Sequence, residues 1–280
     1  GTETGGTGTG GTETGGTGTG GTTTPPTPPA LQELPADVTD LAAEDIAVLP
    51  INLVKDLSAD QVQDLLPKAI QGFTGDQVSK LSDDAVAAFL PKQFKQLSAE
   101  AVSGLSGSQV AGLSAKAVKT FTADQVSSLS PKAVKGFTAN QVEQLSKGAF
   151  KGLETDQLAK LNQDALSGLT TGQLRTLSGD ELAVFKPKKI KSIDPDAISG
   201  LKPAALDGLT KRQVKALTNN QLAGLSKKQI NKADDFIEAL TNRQRDQLSF
   251  NPSSSNRQDR LVDSLDQQDA LLLPGLDPLA

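Results

Sequence analysis

The feature that most constrains this chain is a clock of eight residues. With Leu57 as position 1 of an octad, every eighth residue from Leu41 to Leu225 is Leu, Phe or Ile. Position 6, from Ile46 to Ile230, is always Val, Ile, Leu or Phe, and the pattern runs for 24 units without a slip. A continuous helix cannot use it, because eight residues at about 100° each move the apolar stripe by about 80° per unit. A strand fits poorly too: positions 1 and 6 would face opposite sides, and the filling is Ala, Gln, Lys and Asp in place of β-branched residues. The remaining solution is a helix that restarts in every octad.

Local signals set its register. Position 2 is Ser, Thr, Asp or Asn in 17 of the 24 units, as at Ser58, Thr74, Thr122, Ser130 and Asp194, which predicts an N-cap there. Position 5 is then the third helical residue. Pairs such as Thr122 with Gln125, Ser178 with Glu181 and Thr210 with Gln213 read as capping boxes, and positions 1 and 6 as the hydrophobic staple. Pro67, Pro91, Pro131, Pro187, Pro195 and Pro203 all fall at position 3, the first helical residue, where a missing N–H does no harm. Gly72, Gly104, Gly136, Gly168 and five other glycines fall at position 8, where a left-handed helix end would call for them. Helices this short are unstable alone, so octads must stack on one another.

A second rhythm lies over the first. From Gln61 to Gln173 position 5 alternates Gln and Ala, which predicts a sixteen-residue super-repeat. Ala-type units carry lysine, as at Lys116, Lys119, Lys132 and Lys135; Gln-type units carry Asp60, Asp76, Asp124 and Asp156. If two octads complete one turn, one edge of the solenoid is basic and the other acidic. The alternation fails after Glu181, where Lys186, Lys188, Lys189 and Lys191 cluster, so a bend or register change is expected there.

The expected architecture is an all-α solenoid of short capped helices, right-handed or of a hand the sequence leaves open. The octad solenoid should cover 31–232. Residues 1–30, GTETGGTGTG twice and then a Thr/Pro run, have too little apolar content to fold and read as a flexible linker. Past Ala233, the residues Phe236, Ile237, Leu240 and Leu248 predict one amphipathic capping helix over 233–250. Residues 251–280 read as a polar linker and a short acidic tail. Lacking Met, the chain reads as a processed product or a piece of something longer.

Composition removes most chemistries. There is no Cys, His, Met, Trp or Tyr, hence no thiol, no imidazole base and no soft metal ligand. The paired acids Glu44-Asp45, Asp83-Asp84 and Asp180-Glu181 sit in first helical turns, where they favour the helix dipole; Asp234-Asp235 follows the array. DPDAISG at 194–200 lacks the spaced ligands of a calcium loop, and the Gly/Thr head lacks the flanking elements and lysine of a phosphate loop. No catalytic, cofactor or metal residue is assigned, and the chain is not expected to be an enzyme. The net charge of −5 hides a basic middle: 41–232 carries 24 Lys and Arg against 19 Asp and Glu. The residues best placed to meet a polymer or partner are Lys186, Lys188, Lys189, Lys191, Lys116, Lys119, Lys132 and Lys135. Without interleaved aromatics, nucleic acid is not the expected partner. No apolar run is long enough to span a membrane.

The units LSADQVQD, FTADQVSS and LTKRQVKA resemble the LTxxQVxx-type tandem repeats of very large secreted or cell-surface bacterial proteins, notably cyanobacterial and adhesin-like ones. The resemblance covers about 41–232 and implies extracellular or cell-surface localisation. The Gly/Asp nonapeptides that often bind calcium beside such repeats are missing. The LTxxQV opening of TAL-effector repeats is similar, but their roughly 34-residue period and base-reading loop are absent. The expected function is a non-enzymatic spacer, matrix, filament or adhesion module. Its partners would be other protein chains, copies of itself or a surface polymer. The alternative is a solenoid scaffold that binds a peptide or anionic polymer through its lysine-bearing edge.

Overall fold

The computed structural model describes residues 31–250 and Pro252. The expected linker over 1–30 lies outside these residues, as does nearly all of the 251–280 tail. Among the described residues the chain is an all-α solenoid of short helices, 25 α-helices and one 3-10 turn, with no strand.

One octad shows how the sequence builds the unit. Thr122 Oγ1 accepts the Gln125 N–H at 3.1 Å, and Gln125 Oε1 accepts the Thr122 N–H at 2.9 Å. The helix Ala123–Ser128 follows, and Leu129 closes it by donating its N–H to the Val126 carbonyl at 3.2 Å. Phe121 and Val126 point inward as the staple. The same burial repeats along the array: every position 1 from Leu49 to Leu225 and every position 6 from Ile46 to Ile230 is buried in one continuous core. Phe73, Phe89, Phe94, Phe121 and Phe137 form an edge-to-face series within it, with centroids 4.9–6.4 Å apart.

The turn is longer than sixteen residues. Gln141 Nε2 donates to the Val110 and Leu113 carbonyls, 31 and 28 residues back, both at 2.8 Å. Gln77, Gln93, Gln109, Gln157, Gln173, Gln213 and Gln221 repeat the same two offsets. A stride of 28 residues is three and a half octads. Each octad therefore packs on those three and four units away, and the Gln/Ala rhythm is not the turn. Every polar side chain buried among the described residues is a glutamine that bridges turns, Gln125 through the 28-residue bond alone and Gln244 one residue short, at 30 and 27.

The rhythm has a different cause, which the glycines reveal. The position-8 glycines that close helices as C-caps, such as Gly104 and Gly168, have φ of −74° and −86°, so the expected left-handed ends do not form. They are required by close backbone approach. A Cβ on Gly136 would lie 1.9 Å from the Gly107 carbonyl oxygen, and one on Gly168 would lie 1.9 Å from that of Ala139, each 29 residues earlier. The same approach recurs at Gly72, Gly104 and Gly152, so in these Ala-type octads successive turns touch backbone to backbone.

Three further departures have local causes. Leu66 replaces the N-cap hydroxyl at position 2, and its octad reaches only a 3-10 turn at Ala69–Gly72, beginning after Pro67. Beyond Glu181 the register does not change: Gln213 still bonds Leu182 and Phe185, 31 and 28 residues back. Residues 233–250 form two helices, Asp234–Ala239 and Asn242–Asp246, in place of one capping helix. Ala233 donates to the Ile230 carbonyl as position 1 would and accepts from the Ile237 N–H as position 2 would. That unit is therefore one residue short, and the clock resumes at Leu240-Thr241, with Thr241 and Gln244 forming a capping box.

Arg245 covers the last described turn. Its guanidinium donates to the Ile237 and Leu240 carbonyls, the two kinds of acceptor that a glutamine of the next turn would otherwise take.

Candidate functional site

Position 5 has two roles, and two octads separate them. In Gln141 the Oε1 accepts from the N-cap N–H while Nε2 reaches the turn below. Glu181 keeps only the capping role. Its Oε2 accepts from the Ser178 N–H at 2.7 Å and Oγ at 2.8 Å, but a carboxylate has no proton for the carbonyls below. Lys189 keeps only the bridging role. Its ammonium donates to the Ala159 carbonyl at 3.0 Å and to that of Leu161, 30 and 28 residues back, while Lys186 has no side-chain cap. Lys189, expected as a polymer contact, is thus a half-buried bridge between turns.

The other expected lysines are exposed, but they do not share one edge. Lys116 and Lys119 precede Lys132 and Lys135 by sixteen residues, which is more than half a turn on a 28-residue stride. The turn that brings octads into contact instead joins Lys132 and Lys135 to Lys160. These three line one surface depression with Ser130 and Pro131. Lys186 enters the same neighbourhood from the next turn. Burial lowers the Lys189 pKa from the usual lysine value, and the charges of Lys186, Lys160 and Lys135 lower it further. Lys188 and Lys191 flank this group on the same octad as Lys189, exposed to solvent. Lys160 was absent from the expected set; the sign of its role was its spacing of 28 residues from both Lys132 and Lys188.

Acids gather elsewhere. Asp207 Oδ1 accepts the Phe236 N–H at 3.2 Å beside Asp234 and Asp235. Burial raises its pKa above the ordinary carboxylate value, the two neighbouring acids add to the rise, and the Phe236 bond opposes it. Among the described residues no group of three or more Asp and Glu converges on a metal position, and no helix is long and apolar enough to cross a membrane.

Three large apolar side chains of the described residues are exposed outside the staple, Ile51 among them. Leu66 and Leu90, 24 residues apart, both stand at position 2 and are 52% and 47% exposed. They take N-cap places, so a cap hydroxyl is forgone at each. No family model matches the chain. No curated protein matches it.

Proposed function

We propose that this chain is a non-enzymatic structural or adhesive repeat module of an extracellular or cell-surface protein, a spacer, matrix or filament component. The observation that carries the reading is the stacking itself. The main bonds between turns run to the turn below through one repeated residue, so length grows simply with octad number, as suits a rod that serves by its reach. The likeness of LTKRQVKA-type units to repeats of large bacterial surface proteins supports the location. Proteinase treatment of intact source cells tests it: cleavage of the array from outside is expected, and full protection until lysis would overturn it.

The scaffold reading draws on the grouping of Lys132, Lys135, Lys160 and Lys186. The two readings separate by affinity, since a pure spacer has none to lose when these lysines are neutralised.

A further inference from the structure

Lys132 and Lys135 share one depression with Lys160, 28 residues on from Lys132 and one turn above, and Lys186 approaches Lys160 and Lys135 from the turn beyond. Together these four lysines form a short column across three turns. Between the first two turns opens a depression of about 410 Å³ lined by Ser130, Pro131, Lys132, Lys135 and Lys160. Apart from Lys189, which is tied to backbone carbonyls, these ammonium groups have no carboxylate partner among the described residues. Gathering unpaired like charge works against the fold, and a bound polyanion relieves that repulsion while releasing its own counterions.

We propose that this lysine column binds a linear acidic polysaccharide laid along the solenoid axis across three turns. The chemistry on the surface favours that class. Every phenylalanine except the half-buried Phe250, which lies against Lys227, is buried, so the column offers no ring for stacking a nucleobase. The column is lysine throughout, without the arginine fork that matches phosphate in two bonds. What remains is a row of point charges with a fixed spacing, read by carboxylate or sulfate groups on a flexible chain. The idea rests on the surface reading only for where such a polymer would be met.

The test is calorimetric titration of the full chain with polygalacturonate and dextran sulfate, with uncharged dextran and duplex DNA of matched charge as further arms. Binding of both acidic polysaccharides is expected. With four charges neutralised, affinity should fall roughly 50-fold between 50 and 200 mM salt, from a slope of about −0.7 per charge. Replacing Lys132, Lys135, Lys160 and Lys186 together by Gln should abolish binding while the helical circular dichroism stays unchanged. Gln at Lys55, Lys80, Lys202 and Lys228 removes the same charge from other places and should retain most of the affinity. No affinity in the native chain, equal loss in both quadruple variants, or duplex DNA binding at least as tightly would each overturn the proposal. Proteinase protection on cells would sink the surface reading alone, leaving the measured affinity in place.

Discussion

Replacing Gln141 by Glu changes one side-chain amide to a carboxylate of nearly the same shape and probes the bond between turns directly. Gln141 is 3% exposed. Its Oε1 accepts from the Thr138 N–H at 3.0 Å, an interaction that Glu retains. Its Nε2 donates to the Val110 and Leu113 carbonyls at 2.8 Å and more distantly to Ala111 at 3.2 Å, and Glu cannot do so when ionised. Two buried carbonyls lose their partner at about 1–3 kcal/mol each, so the loss is about 2–6 kcal/mol at pH 7. Swinging the carboxylate toward water avoids burying the charge but leaves both carbonyls unpaired. The acceptors around it raise the folded-state pKa of the new acid. Part of the loss therefore disappears as pH falls through that raised value toward the ordinary Glu value, where the protonated form donates again. Urea denaturation followed by circular dichroism suits a chain without Trp or Tyr. A lower midpoint at unchanged slope is expected. A variant within about 0.5 kcal/mol of the native chain at pH 7 would refute the bridging role, that being the range of neutral surface changes.

Glu181→Gln is the reverse experiment and should gain stability on the order of 1 kcal/mol by supplying the missing donor; an unchanged denaturation midpoint would count against it. Gly136→Ala should cost about 1–3 kcal/mol or more, because its Cβ would meet the Gly107 carbonyl oxygen at 1.9 Å, whereas Gly112→Ala, with 3.7 Å to the nearest atom, should be neutral or stabilising. Thermal melts of the two variants provide the comparison, and equal losses would contradict close approach at position 8. Asp207→Asn should raise the melting temperature near pH 7. The folded-state pKa of Asp207 lies above its unfolded value, so ionisation opposes folding above the raised pKa and has no effect once both states are protonated. The advantage of Asn should therefore shrink as pH falls through the raised value and vanish below the ordinary Asp value, and an advantage independent of pH would point to another cause. Leu66→Ser restores the N-cap hydroxyl and should stabilise by about 1 kcal/mol, with added helical ellipticity; a loss would mean that Leu66 has a packing role.

The local unit was legible in the sequence because its causes are local. Capping by Thr122, stapling by Phe121 with Val126, and a helix beginning at Pro131 all act within eight residues. The turn was not, because the Gln/Ala alternation has a period of sixteen while the contact it serves lies 28 residues away. The close backbone approach of Gly136 to Gly107 lies at nearly that distance, and a spacing of 29 residues between two glycines carries little weight without coordinates. The break at 233–250 was readable: LTNRQ at 240–244 is the repeat motif moved by one residue. Its apolar neighbours Phe236 and Ile237 suggested a single amphipathic face and hid the second cap. Of the lysine group, the run at 186–191 stood out as a run, whereas Lys160, alone in its octad, gains its place only from the stride.

That stride can be measured directly, since the chain has no cysteine to compete. Ser108 Oγ lies 3.1 Å from Asp83 Oδ1, 25 residues earlier and one turn below. Cysteines at 83 and 108 should form a disulfide rapidly under mild oxidation, while cysteines at 92 and 108, sixteen residues apart, should remain reduced. Ready bridging of 92 to 108 with none between 83 and 108 would contradict a turn of three and a half octads.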